Sequence, residues 1–219
     1  MESSNRVDGI LIEGQIAVGK TTVIQAVRER VERHQGRTVD ISHCHLFSDP
    51  RNVAVHDKAF EDFNWRIESA SHLNDEFWRF NNARCLNVLY DLNLFRKRWS
   101  GTENFRIQDR YWFSYLATAL FFSPQQTLFP SNWFREHAPR FKIEFYLTCA
   151  GEWRRKNESI REGPPKSGLH KYFNEHPEVV DAFDTFCIKL ASDEFGMRIL
   201  DVTNMSPDFI AETIVAAAQ

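Results

Sequence analysis

Gly14-Gln15-Ile16-Ala17-Val18-Gly19-Lys20-Thr21 is the stretch on which the reading of this chain turns. It satisfies Gly-x-x-x-x-Gly-Lys-[Ser/Thr] at every fixed position. Its flanks agree with it. Ile10-Leu11-Ile12 is a short apolar run ending just before glycine, which reads as a buried strand. Lys20 to Gln35 reads as a helix, with Val23, Ile24, Val27 and Val31 at helical spacing and Gly36 as the stop. Strand, glycine-rich turn and helix in that order build an anion cradle. Glycines let the backbone curl so that its N–H groups converge on phosphate oxygens, and the helix N-terminus adds a favourable dipole. Gly14, Gln15, Ile16, Ala17, Val18, Gly19, Lys20, Thr21 and Thr22 are therefore the expected cofactor-binding residues. Lys20 is expected to reach the β- and γ-phosphates of ATP and to serve catalysis, and the Thr21 hydroxyl to ligate Mg²⁺.

Outward from this loop the elements alternate. Thr38 to Ser42 reads as a second strand that Asp49-Pro50 ends in a turn. A long helical region runs from roughly Lys58 to Trp99, with Phe77, Phe80, Arg84, Val88 and Asp91 on one stripe. Phe105 to Asp109 is a third strand, Phe113 to Phe122 a helix, and Lys142 to Leu147 a fourth strand. Gly151 to Glu162 is polar and basic. Phe173 to Phe195 reads as a helix despite Pro177, and Met197 to Asp201 as a fifth strand. The last helix opens with Ser206 as N-cap and Pro207 in its first turn. Strands alternating with helices predict parallel pairing through right-handed crossovers. The expected fold is a three-layer α/β sandwich of the P-loop NTPase class, a parallel sheet of about five strands flanked by helices. A single domain is expected over 1–219, with a lid over approximately 151–170.

Bulk properties narrow the function classes. A length of 219 residues suits one domain, and 42% hydrophobic content suffices for a core. A net charge of -3 argues against binding nucleic acid by gross charge, and no nucleic-acid partner is expected. No apolar run approaches the ~20 residues that cross a bilayer, and Met1 to Asp8 is polar. The four scattered cysteines form no CxxC pair and read as buried or free thiols. A cytoplasmic protein without a membrane partner is the expectation. No zinc is expected, because the eight histidines show no ligand spacing.

Ile107-Gln108-Asp109-Arg110-Tyr111, with Ser114 and Ala117 downstream, ends the third strand. It resembles the Asp-Arg-Tyr segment of thymidylate kinases and the Glu-Arg-Ser segment of deoxynucleoside kinases, two families of one fold. The resemblance implies that Asp109 helps hold Mg²⁺ and that Arg110 touches phosphate or reacting oxygens, with Tyr111 and Ser114 near the substrate. Phe80-Asn81-Asn82-Ala83-Arg84 is similar to the thymidylate-kinase stretch Phe-Ala-Ala-Asp-Arg. That likeness implies that Phe80 stacks on a base and Arg84 binds the acceptor nucleotide. Spacing of i to i+4 puts the two on one helix face. Both families carry an arginine-bearing lid after the fourth strand, which implies catalytic roles for Arg154, Arg155 and Arg161. They also commonly form homodimers, so a homodimer is implied by the same likeness.

The resemblance breaks at Ser48-Asp49-Pro50. Thymidylate kinases carry Arg-Glu-Pro there, and the arginine binds the acceptor phosphate. Here it is missing, although Arg51 is close by. Deoxynucleoside kinases carry Glu-Pro, and Asp49 matches their general base. Ile12-Glu13-Gly14-Gln15-Ile16 also looks more like the deoxynucleoside-kinase start, and Ala117-Thr118-Ala119 replaces the thymidylate-kinase Ala-Tyr-Gln. Two kinase expectations stand: transfer to a nucleoside monophosphate with Arg84 as anchor, or to a hydroxyl of a nucleoside or other small molecule with Asp49 as base. A third expectation is a P-loop switch or ATPase. For a GTPase the Asn-Lys-x-Asp run is absent, and the Asp-x-x-Gly match at Asp193 to Gly196 lies at the wrong end of the chain.

Overall fold

The strand ahead of the glycine-rich loop, β1, spans Arg6–Gly14 and is buried on both faces. It belongs to a computed structural model that describes residues 6–47, 53–54, 57–58, 61, 82, 84–94, 104–122, 124–160 and 168–218. Side chains alternate along β1 between two apolar layers, as the period of a strand requires. Val7 and Leu11 enter one layer. Ile10 and Ile12 enter the other. Ile10, Leu11 and Ile12 have no exposed surface. Each of these burials is worth roughly 1.5–3 kcal/mol. This two-sided burial explains the continuous apolar run in the sequence.

The other elements follow in chain order. They are α1 (Lys20–Gln35), β2 (Val39–His43), β3 (Phe105–Asp109), α2 (Trp112–Phe122), α3 (Ser131–His137), β4 (Arg140–Thr148), α4 (Gly151–Ser159), α5 (Gly168–Glu175), α6 (Pro177–Lys189), β5 (Arg198–Asp201) and α7 (Pro207–Ala217). Residues 84–94 are also helical. The strands form one parallel sheet in the order β2-β3-β1-β4-β5. Helices α1 and α7 cover the Ile10 face, and α2 and α6 cover the Leu11 face. The expected three-layer α/β sandwich with five parallel strands is the observed fold.

Helix ends follow the local chemistry. Gly36 closes α1 at φ 61°, a left-handed cap that glycine adopts without a Cβ penalty. Ser206 Oγ accepts the Phe209 N–H at 3.3 Å at the start of α7. The expected helix from Phe173 to Phe195 is broken. Pro177 drives the residue before it out of helical backbone, and His176 stands at φ -129°, ψ 68°. The chain restarts as α6 with proline in the first turn, then widens into a π turn over Leu190–Glu194. Helices α3 and α4 were not read from the sequence. They have seven and nine residues, and each buries a single side chain, so neither carries an apolar stripe. Of the expected 58–99 helix, 84–94 is helical throughout, and most of the remainder lies outside the described residues.

Asp91, on that helix, has no exposed surface and accepts the Leu46 N–H at 2.7 Å. It thereby fastens the segment after β2. Burial raises its carboxyl to about 6, despite hydrogen bonds from the Leu46 and Phe47 backbone and from Tyr111. The folded protein thus keeps a proton that the unfolded chain releases near 3.8. Stability from this group is therefore full below about pH 4 and is lost as pH rises through about 6. Relative to an Asp91→Asn variant, the protein should lose about 2 kcal/mol between pH 4 and pH 7. Urea denaturation of both proteins at the two pH values reads this directly, and a pH-independent difference would contradict it.

Candidate active site

A cavity of about 860 Å³ opens at the carboxyl ends of the strands, and every residue from Gly14 to Thr22 lines it. It sits where the crossovers leaving the neighbouring strands β1 and β3 depart to opposite sides, to β2 and to β4, the usual location of ligand crevices in parallel sheets. Lys20 is buried and its Nζ donates to the carbonyls of Gly14 at 2.9 Å and Gln15 at 2.6 Å. Burial and the nearby Arg110 charge push its amine down to about 7, with Asp109 and Glu13 pulling the other way. Gly14 (φ 142°), Ala17 (φ 60°) and Gly19 (φ 92°) bend the loop. A Cβ on Gly14 would lie 2.4 Å from the Leu147 carbonyl oxygen on β4, so only glycine fits this close approach.

β3 delivers the second part of the site. After Asp109 the chain turns at Arg110, a left-handed residue at φ 59° whose N–H donates to the Ile12 carbonyl at 3.1 Å. α2 then begins over the carboxylate of Glu13, which is wholly buried. Glu13 Oε1 accepts the backbone N–H of Tyr111 at 2.7 Å and of Ser114 at 3.4 Å, and Oε2 accepts the Ser114 hydroxyl at 2.5 Å. An anion at a helix N-terminus satisfies orphan amides and the dipole together. Burial nevertheless raises the Glu13 carboxyl above its ordinary value, against those hydrogen bonds and the Arg110 charge. The Arg110 guanidinium bonds Ser114 Oγ at 3.3 Å and lines the cavity.

His43, at the end of β2, sits with Nδ1 2.9 Å from Asp109 Oδ2. That bond, with a further one to Cys44, raises the imidazole to about 10. Burial works against ionisation of Asp109, but the His43 hydrogen bond and the Lys20, His43 and Arg110 charges hold it below its ordinary value. Its other oxygen, Oδ1, is buried with no hydrogen-bond partner among the described residues. An ionised carboxylate with a free lone pair and the Thr21 hydroxyl line the same cavity, and such hard oxygen donors suit Mg²⁺. Among the described residues no group of three or more His, Cys, Asp or Glu side chains is arranged to hold a metal ion.

Arg84 is buried, with its guanidinium 4.0 Å above the Tyr115 ring and on the cavity wall. Tyr115 in turn donates its hydroxyl to the Cys44 carbonyl at 2.5 Å. Ala17, Cys44 and Arg110 all line the cavity and all hold positive φ without being glycine. Each such residue costs roughly 1–2 kcal/mol. Strain of this kind gathers where surrounding structure over-determines a functional geometry. Beyond the polar centre the cavity has two apolar walls. Trp153, Val202, Met205 and Ile210 form one, and Phe113, Tyr146, Phe173 and Phe183 form the other. Either wall can hold a flat ring.

Sequence reading and structure meet unevenly here. The loop from Gly14 to Thr22 gathers with Arg84, Asp109, Arg110 and Ser114 around one cavity. Tyr111 does not join them. Its side chain has no exposed surface and lies in the core, because Glu13 fixes the start of α2 in a phase that turns Tyr111 inward. Arg154 and Arg155 also stand off the cavity wall. Arg154 is buried against Asp181 of α6 at 2.6 Å, and Arg155 folds back beside Gly151. Helical phase is the reason: Trp153, Asn157 and Ile160 share the cavity face of α4, and residues 154 and 155 point elsewhere. Asp49, Phe80 and Arg161 lie outside the described residues. The sequence reading missed Glu13, His43, Trp153 and Asn157 as parts of the site. The i, i+4 spacing of Trp153 and Asn157 was the available signal for the last two.

Neither a protein-family model nor a curated protein matches the sequence. In structure the chain is similar to the thymidylate kinase from Candida albicans, with a TM-score of 0.58 and 16% sequence identity. The likeness covers 97% of this chain and 91% of that one. At that identity it shows the fold, which is the α/β P-loop fold of thymidylate kinase.

The contact between Gly14 and β4 makes a structural prediction. Gly14→Ala should lower stability by about 2–4 kcal/mol through the Leu147 clash and the positive φ. Thermal unfolding of the purified variant measures this, and an unshifted midpoint would show that the backbone can relax there.

Proposed function

We propose that this chain is a nucleotide kinase that moves the γ-phosphoryl group of ATP to a nucleoside monophosphate. The observation that carries the reading is the convergence of three cations, Lys20, Arg84 and Arg110, on the cavity that holds the glycine-rich loop. A phosphate acceptor already bears its nucleophilic oxygen, and what it lacks is charge neutralisation. A hydroxyl acceptor instead needs a carboxylate base. Among the described residues two carboxylates line the cavity, Asp57 and Asp109, and Asp109 is engaged by His43. In the transfer, an acceptor phosphate oxygen bonds to the γ-phosphorus as the bond to the β–γ bridging oxygen breaks, and ADP leaves with that oxygen's electron pair. Thr21 and Asp109 would hold Mg²⁺, which when bound neutralises charge on the phosphates. Lys20 and Arg110 place positive charge where it builds up on the phosphoryl oxygens. Arg84 anchors the acceptor. The wall of Trp153 and Met205 serves the donor base, and the wall of Phe113 and Phe183 serves the acceptor.

In this proposal the enzyme is a single-domain cytoplasmic protein and works as a homodimer, with neither nucleic acid nor membrane as partner. Among the described residues, no helix is long and apolar enough to cross a membrane.

A panel of nucleoside monophosphates and nucleosides, assayed with ATP and Mg²⁺, should give ADP release that depends on a monophosphate. Turnover of nucleosides alone would replace this reading with the hydroxyl kinase that uses Asp49 as base. ADP release indifferent to every acceptor would favour a P-loop ATPase. Lys20→Ala should lower kcat/KM by about 3 kcal/mol, or roughly 100-fold or more, while leaving the fold intact. Arg84→Ala should raise the acceptor KM by about tenfold or more while leaving the ATP KM nearly unchanged. Steady-state kinetics of the two variants reads both effects.

A further inference from the structure

Three carbonyls of the phosphate loop are held by side chains. Lys20 takes those of Gly14 and Gln15, and Asn157 Nδ2 donates to that of Ala17 at 3.0 Å. The last bond comes from α4, at a sequence separation of 140 residues. Ala17 is also the non-glycine residue of the loop that holds a left-handed backbone, at φ 60°. The two facts belong together. A left-handed alanine leans toward ordinary backbone unless something holds its peptide. In a trans peptide the C=O and N–H of one plane point in opposite directions. A hydrogen bond on the Ala17 carbonyl therefore fixes the direction of the Val18 N–H, one of the donors of the anion cradle.

We propose that Asn157 is a positioning residue for the phosphate loop: it holds the Ala17–Val18 peptide plane and keeps Ala17 left-handed. The phosphate-binding geometry is then set partly by α4 and not by the loop alone. This rests on the reading of Gly14 to Thr21 as a phosphate cradle. It accounts for a polar residue on the cavity face of α4, between Trp153 and Ile160. It also explains how alanine is tolerated at a position where glycine would be free of strain.

The test uses inorganic triphosphate with Mg²⁺, a probe that has no base and so reports on the loop. Calorimetry on the full chain should show binding by the unaltered protein. Asn157→Leu keeps the number and branching of the side-chain heavy atoms but removes the donor, and should weaken triphosphate binding by about tenfold. Asn157→Ala, the smaller replacement, should do the same. Adding Ala17→Gly to Asn157→Leu should restore most of the lost affinity, because glycine adopts the left-handed backbone freely. In turnover, Asn157→Leu should raise the KM for ATP by a similar factor and change kcat less. Triphosphate binding by Asn157→Leu and Asn157→Ala as tight as that of the unaltered protein would overturn the proposal. So would a double variant no better than Asn157→Leu alone. Failure of the unaltered protein to bind triphosphate would overturn the phosphate-loop reading, and this proposal with it.

Discussion

The buried carboxylate of Glu13 joins the parts on which the site depends. Glu13 is the penultimate residue of β1, next to the first glycine of the loop, and lies under the N-terminus of α2. Its two oxygens take the amides of Tyr111 and Ser114 and the hydroxyl of Ser114. Through these bonds the exit of β1 and the exit of β3 are locked together, so the loop and the Asp109-Arg110 pair keep one relative position. The same bonds set the phase of α2. That phase buries Tyr111 and brings Phe113 and Ser114 to the cavity. A charged group without exposed surface is costly unless fully bonded, and Glu13 meets that condition with backbone amides that the helix would otherwise leave unpaired.

Around this lock the structure concentrates backbone strain and positive charge. Left-handed residues at Ala17, Cys44 and Arg110 surround one cavity. Each is fixed by a bond to a distant element: Ala17 to Asn157, Cys44 to the Asp109 carbonyl, and Arg110 to the Ile12 carbonyl. The strain is held by tertiary contacts and not by local sequence. Lys20, Arg84 and Arg110 share the space, with Asp109 kept ionised by its neighbours. The arrangement suits a ligand that brings several negative charges.

The fold was largely legible in the chain. The apolar run Ile10 to Ile12, the helical spacing of Val23 to Val31 and the Ser206-Pro207 helix start are local signals, and each sits in the element it announced. The reading failed where the deciding physics was not local to the pattern. Helices α3 and α4 bury too little to show a stripe, and Pro177 divided what periodicity read as one helix. In the site, residue type suggested arginines on the lid, but helical phase gave the cavity face to Trp153 and Asn157 and sent Arg154 to Asp181. His43 stood in view in the sequence, but its place beside Asp109 follows from the parallel pairing of β2 with β3.

By itself, then, the sequence determined the glycine-rich loop and the α/β alternation, because both are written in contiguous residues: glycines at fixed spacing, apolar runs, and caps. Only the tertiary structure decided which charged and polar side chains share the cavity. Glu13 meets Ser114, His43 meets Asp109, and Asn157 meets Ala17 across separations of 101, 66 and 140 residues. Strand order and helix phase fix such encounters, and neither is a property of any short stretch of chain.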